Sequence, residues 1–411
     1  MKKKNRNKKK QLSQLSSKKR VLNQILFFLF ILLFPTQLGK HLFFNFSYLS
    51  GIRVDYLAPT LYLTDGIVFL LLLLNINSLL RFFKNPRVVF LIVLLAINLL
   101  FSLSKEISIY RDIKIIELFI VFAIAAKHIL QEKIILFAFA ISALTELLLS
   151  ILQLVYKHSL QGIFYFLGER FFTLSTPGIA KASLEGVEML RPYGTFSHPN
   201  SLAGFYLLVY FFFLARKTSP TTSVLRTTLL FVCSLLVLFS FSKVAIFVFV
   251  TLNAVYVFRS RLYQSCRFCM ISRLGILTLV SLLFLSATTD PLSAQKRLTL
   301  LKNAFSIVMS QPFFGVGLGN YLLAQNQFAQ NYPTFLNQPV HNIFLLLLSE
   351  FGIILFGMLI VILFRAFYWL LLRYPYIVAV VVITGFFDHY WITLQQNSLL
   401  LAFILGKLAL K

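Results

Sequence analysis

The sequence predicts an all-α integral membrane protein with about 12 transmembrane helices and a large external loop between the ninth and the tenth. Three observations predict it. Apolar residues make up 58% of the chain and charged residues 13%, where a soluble domain carries about 25% charged residues. Apolar runs approaching the ~20 residues that cross a hydrocarbon core recur from Val21 to the end. The basic residues cluster in the breaks between those runs, where topology signals belong.

The spans follow in order. Val21–Leu38 comes after a basic tail and lacks a small-residue cleavage site behind it, so it reads as a retained helix rather than a removed signal peptide. Pro59–Leu80, Val88–Leu103, Tyr110–Ala126 and Ile134–Val155 complete the first group. The polar stretch Tyr156–Asn200 separates them from Ser201–Ala215. Leu229–Phe241 and Val244–Phe258 have almost no loop between them, and Leu274–Ala287 is the ninth span. After the polar stretch Thr288–His341 come His341–Phe364, Tyr376–Phe387 and Leu394–Leu410. No polar stretch is long enough to bury its own core. The chain therefore reads as a basic tail, 1–20, and one polytopic membrane domain, 21–411, whose external loop is 288–340.

Alternating the connections between the two membrane faces sorts the charge. One face receives the tail, Arg81–Arg87, Lys127–Lys133, Arg216–Arg226, Arg259–Arg273, Arg365–Arg373 and Lys407–Lys411. These hold 26 of the 39 basic residues and a single acid, Glu132. The positive-inside rule makes that face cytoplasmic, with both termini on it, and both long polar stretches external. The tail has ten Lys or Arg and no acid, which reads as a disordered cytoplasmic segment suited to anionic lipid. A formal charge of +26 invites a nucleic-acid partner, but this distribution serves topology and points to the lipid bilayer instead. Cys266 and Cys269 form a lone CxxC without the further ligands a zinc site needs.

The residues with chemistry gather in the external connections. Arg191-Pro-Tyr-Gly-Thr-Phe-Ser-His-Pro-Asn200 precedes a helix. Pro199 suits a first helical turn, and His198 or Ser197 could cap it. Arg191 offers a planar, bidentate fork suited to phosphate. Lys243, in Phe239-Ser-Phe-Ser-Lys-Val-Ala245, reads as a snorkelling lysine or as a cation facing the same external cavity. The external loop carries Lys296, Arg297 and Lys302, then Pro312-Phe-Phe-Gly-Val-Gly-Leu-Gly319. That glycine run lacks the Lys-Ser/Thr of a P-loop and reads as a turn where backbone packs closely. Amides in Gln325–Pro333 suit sugar hydroxyls. His341 and Asn342 open the tenth span, where an imidazole can cap the helix or act as a base. Asp388 and His389 could line the cavity or simply pack. Asp65, Arg111, Asp112, Glu117 and Glu146, deeper in the spans, are expected to face the interior and pair. No DxD or HExxH pattern occurs in the external loops, which disfavours a dedicated divalent-metal site, although dispersed carboxylates could still assemble one; no metal and no other cofactor is expected.

Four pieces, in this order, resemble the O-antigen ligase and polymerase family of bacterial membrane glycosyltransferases. They are Arg191–Asn200 (R-x-x-G-T-F-x-H-P-N), Ser242–Ala245 (S-K-x-A), Pro312–Tyr321 (P-x-x-G-x-G-x-G-N-Y) and His341–Gly352 (H-N-x-F-L-x-x-x-x-E-x-G). The resemblance implies a GT-C fold in the bacterial cytoplasmic membrane. It implies transfer of a glycan from an undecaprenyl-diphosphate carrier to a glycan, lipid or protein acceptor on the external face. By position, His341 matches the family's catalytic histidine, and Arg191 and Arg297 match its external basic residues. Lys243 stands where the family commonly has Arg. The resemblance implies an inverting, metal-independent reaction. A flippase or other transporter would also use many helices around a cationic cavity, but it should show deep cations and repeat symmetry. A non-catalytic scaffold leaves Arg191, Arg297 and His341 unexplained.

Overall fold

Uninterrupted apolar segments leave backbone N–H and C=O groups no partner except each other, so they fold as helices. The computed structural model describes residues 2–127, 129–216, 220–259, 267–287, 292–327 and 336–409. The side chains of the Cys266/Cys269 pair and residues 328–335 of the amide-rich run lie outside the described residues.

The helices are α1 (Lys2–Leu32), α2 (Leu63–Phe83), α3 (Pro86–Leu100), α4 (Lys105–Ala125), α5 (Glu132–Tyr156), α6 (Pro199–Leu214), α7 (Pro220–Phe239), α8 (Lys243–Arg259) and α9 (Arg267–Ser286). They continue with α10 (Leu292–Ser310), α11 (Tyr321–Gln327), α12 (Ile343–Arg373), α13 (Pro375–Phe387), α14 (Tyr390–Thr393) and α15 (Gln395–Ala409). A helix lies under every predicted apolar span. Leu63–Phe83, Glu132–Tyr156, Thr222–Phe239 and Ile343–Arg373 are long and apolar enough to cross a bilayer by themselves, and Pro86–Leu100, Pro199–Leu214, Leu274–Ser286 and Pro375–Phe387 are shorter apolar helices. The chain is a multi-pass membrane protein.

Several expectations need correction. The basic tail is continuous with α1 rather than a separate coil, as a run of Lys, Arg and Gln without Gly or Pro permits. The segment expected as the external loop carries two helices among its described residues. Leu300, Ala304 and Ile307 recur at helical spacing in α10 and are buried, the last two in one apolar cluster with Val340 and Leu346. α12 runs on to Arg373, through residues that charge alone marked as a connection. The fold is also not purely helical. Antiparallel ribbons pair β1 (Gly39–His41) with β4 (Thr60–Tyr62), β2 (Tyr48–Leu49) with β3 (Ile52–Arg53), and β5 (Lys181–Leu184) with β6 (Val187–Leu190).

α6 is the hub. It is buried on all sides from Ser201 to Phe213, as its uniform apolarity requires, and packs against α7, α8, α13 and α15. A Cβ on Gly204 would lie 2.3 Å from the Tyr390 hydroxyl oxygen, so glycine there lets α14 seat on α6.

The glycine run is a backbone clamp on α12. Gly352 has φ 67° and breaks the helix. Val316 N–H donates to Ser349 O at 3.1 Å, Gly317 N–H to Glu350 O at 3.0 Å, and Ile353 N–H to Pro312 O at 2.7 Å. A Cβ on either Gly315 or Gly352 would come within about 2.5 Å of the other strand's backbone, so only glycine fits. The predicted close-packing turn is therefore present. Asn98 of α3 holds it, donating to Glu350 O at 2.8 Å and accepting from Leu318 N–H at 2.8 Å.

The deep charges pair only in part. Lys114 bridges Asp65 at 2.5 Å and Glu117 at 3.3 Å, and Gln395 donates to Asp65 at 2.8 Å. Arg111 donates instead to the Tyr56 carbonyl at 2.9 Å. Glu146 accepts from the Thr195 N–H at 3.0 Å. Asp112 Oδ1 is buried without a hydrogen bond.

Candidate functional site

The connections after α1, α5 and α11, with the α13–α14 turn, meet over one end of the bundle and enclose a cavity of about 1460 Å³. Seven cationic and four acidic side chains line it. Lys181 pairs with Glu188 at 3.1 Å and Arg53 with Asp55 at 3.4 Å. Arg111, Arg170, Arg191 and Arg297 also stand around the carboxylates Glu169 and Asp388, and Lys296 is on the same wall. A cavity with this surplus favours an anion.

The R-x-x-G-T-F segment is held from α5. Gln153 Oε1 accepts from the N–H groups of Tyr193 at 2.9 Å and Gly194 at 2.8 Å. Gly194 has φ 57°, and a Cβ there would sit 2.1 Å from Glu146 Oε2. This fixes the start of α6, where His198 is the N-cap and its Nδ1 accepts from Asn200 N–H at 3.1 Å. The capping reading of His198 holds, and the ring still lines the cavity. Burial, helped by Arg191, lowers its pKa to about 3, so it is neutral.

Arg191 is buried. Its Nε donates to Ser240 O at 2.9 Å, and an Nη donates to Asn200 Oδ1 at 2.7 Å. Burial draws its pKa down to about 10, which leaves it a cation. The Phe239–Ala245 segment thus reaches the site through the Ser240 carbonyl. Lys243 does not: it is exposed at the start of α8 and is not among the cavity-lining residues.

Asn200 passes the connection on. Its Nδ2 donates to Asp388 Oδ2 at 2.9 Å. Asp388 Oδ1 accepts from His389 N–H at 2.8 Å and lies 3.4 Å from His341 Nδ1. Burial by itself raises the Asp388 carboxyl, but the hydrogen bond to His341 and the surrounding imidazoles reverse this and hold it well below the ordinary range. An ionised carboxylate only accepts, so Nδ1 of His341 is the donor in this pair. Asn342 caps α12, accepting from Leu345 N–H at 2.9 Å, and anchors to Phe386 O at 3.2 Å. It positions His341 beside Asp388.

His389 is buried, with Nδ1 2.6 Å from Thr393 Oγ1. Burial lowers its pKa to about 3, against the pull of Asp388. His341, Asp388 and His389 each offer one potential metal-ligand atom, all within 4.8 Å of one another. Both Asp388 oxygens and His389 Nδ1 are engaged in hydrogen bonds. The cluster is built as a hydrogen-bond network.

The structure therefore gathers Arg191, His198, Arg297, His341, Asp388 and His389 around one cavity, with Asn342 behind it. Sequence reasoning missed Asn200, which joins the two halves. Its signal was the last position of the H-P-N motif, absorbed there as a helix start. Arg111 and Arg170 were also missed as cavity cations, the first because it was read as a paired charge within a span.

Residues 201–361 match the family model described as O-Antigen ligase. That stretch takes in Lys243, the glycine clamp and His341. No curated protein matches the chain. Over that stretch the chain is similar to the O-antigen ligase family, the same family its ordered motifs resemble.

Proposed function

We propose that the protein transfers a glycan from an undecaprenyl-diphosphate carrier to an acceptor hydroxyl at the external face of the cytoplasmic membrane. The observation that carries this reading is the chain Arg191–Asn200–Asp388–His341 at the wall of a cationic cavity. Asp388 fixes the tautomer of His341, so Nε2 takes the proton of the acceptor hydroxyl as its oxygen bonds to the anomeric carbon. The bond from that carbon to the diphosphate oxygen breaks, and the electron pair leaves with the lipid diphosphate. Arg297 lines the same cavity and, with the fixed charge of Arg191 behind it, favours the developing negative charge. In-line attack inverts the anomeric centre, and side-chain cations take the role a divalent metal plays elsewhere.

The test uses the detergent-purified protein with a labelled undecaprenyl-diphosphate glycan, host envelope as acceptor, and chelator. Label leaves the lipid with wild type and stays on it with His341→Ala. A ladder of products means polymerase and a single shift means ligase. Retention of label by both proteins, with the acceptor shown competent by a known ligase, overturns the reading and leaves transport.

A further inference from the structure

A second cavity, about 320 Å³, continues from the first. The two share Tyr56, Tyr62, Tyr110, Arg111 and Thr393, so they form one crevice with a polar and an apolar part. The apolar part runs down between α4 and α12, over α3. Leu94, Leu118, Leu347, Phe351 and Leu359 line it. α4 packs on α2, α3 and α15, and α12 packs on α3, α10 and α13, which leaves the two as facing walls. Beyond the Gly352 kink, α12 presents Ile353, Val361 and Phe364 outward, each 61–77% exposed. The groove therefore lies at the lipid-facing edge of the bundle.

Its charged groups, Arg111, Lys114 and Glu350, are not equivalent, and the Glu350 carboxylate is held by the backbone of Gly319 and Tyr321. Lys114 is neutralised by Asp65 and Glu117. Arg111 gives one donor to the Tyr56 carbonyl and has no carboxylate partner within ion-pair distance among the described residues. Gly319 makes room for it, since a Cβ there would lie 2.6 Å from Arg111 Cγ. A guanidinium is thus held where the cationic cavity meets the apolar groove.

We propose that this groove holds the hydrocarbon chain of a lipid diphosphate, with Arg111 on the diphosphate at its mouth. The occupant must be apolar along its length, as the leucine walls require, and anionic at one end, as the unpaired guanidinium and the cavity beyond it require. The inference rests on the transferase reading for its donor. It assigns the headgroup contact to Arg111, where the resemblance assigns one to Lys243.

Two measurements test it. The wild-type protein is irradiated with a polyprenyl diphosphate bearing a diazirine on its chain, and the labelled peptides are mapped. Labels within 91–119 and 343–363 support the groove, and labels confined to α7–α9 overturn it. Separately, Leu347→Trp and Leu94→Trp are assayed with undecaprenyl- and geranyl-diphosphate glycans. Filling the groove lowers the preference for the long chain, as a ratio of kcat/KM, by about tenfold, or ~1.4 kcal/mol. Arg111→Gln lowers kcat/KM for both donors and leaves the ratio unchanged. An unchanged ratio in both tryptophan variants overturns the groove while the transferase reading stands. Transfer from neither donor by wild type overturns the transferase reading, and the crosslinking map still decides the groove.

Discussion

Asn200 donates its amide to Asp388 at 2.9 Å, and its carbonyl oxygen accepts from Arg191 at 2.7 Å. One side chain from the first turn of α6 thereby ties a buried cation to the carboxylate that orients His341. Replacing it with alanine leaves both charged groups one partner short. A hydrogen bond to a charged group is worth about 1.5–3 kcal/mol. We predict that Asn200→Ala lowers kcat by ~10- to 100-fold with little change in KM, read in the donor-consumption assay.

Substituting the dyad itself separates position from chemistry. His341→Ala removes the base and lowers kcat by ~100- to 10,000-fold. Asp388→Asn keeps the shape but no longer demands the Nδ1–H tautomer. It should lose activity to a comparable degree while Tm falls little. Equal activity of Asp388→Asn and wild type would show that His341 does not depend on this carboxylate.

Two of the three cations carried over from the family pattern should diverge. Arg297 lines the cavity, so Arg297→Ala raises donor KM by about tenfold, the value of one charge-assisted contact. Lys243 is exposed and away from that wall, so Lys243→Ala changes kcat/KM by less than about twofold. The reverse order of effects would place the diphosphate on the α8 side.

Stability should fall in mild acid. His198 and His389 have folded pKa values lowered to about 3, against ~6.5 for the free side chain. Between these values the unfolded state binds more protons, so stability rises with pH and is lost as pH falls below ~6.5. Asp388 has the same sign in a lower window: its depressed pKa contributes stability that is present above ~3.8 and is lost only as pH falls below that value. Thermal unfolding in detergent between pH 7 and pH 4 measures the slope. His389→Gln and His198→Asn should each flatten it.

Gly315 and Gly352 touch backbone to backbone, and both have positive φ. Gly352→Ala adds a methyl group with no room and a strained dihedral. It should cost more than about 2 kcal/mol, visible as a drop in Tm. An alanine accommodated without loss would show that the α12 kink does not need this contact.

How much of this could be read from the chain alone depends on how local the cause is. The positions of the apolar helices follow from runs of adjacent residues, because a backbone in hydrocarbon has no partner but itself. The glycine turn was legible for the same reason: Pro312–Gly319 carries its own conformational freedom, and only its partner, Gly352, lay elsewhere. The N-caps at His198 and Asn342 are also local. α10 was obscured because its buried stripe is narrow and its other faces carry Lys302 and Ser306, so average polarity hid the period.

The site was legible as residue types and not as contacts. Arg191, Arg297, His341, Asp388 and His389 could be named because charged and imidazole side chains beside a membrane need a reason. Nothing local says that Asn200 meets Asp388 across 188 residues, that Ser240 offers a carbonyl while Lys243 stays outside, or that Arg111 escapes the pairing that takes Lys114. Those outcomes depend on how α6 seats against α14 and how α4 stands off from α12. By itself the sequence determined a membrane-embedded helical chain and the chemistry displayed at one end of it. Tertiary packing decided which of those side chains share a cavity, because side-chain contacts within about 4 Å are set by helix placement that no short window of sequence encodes.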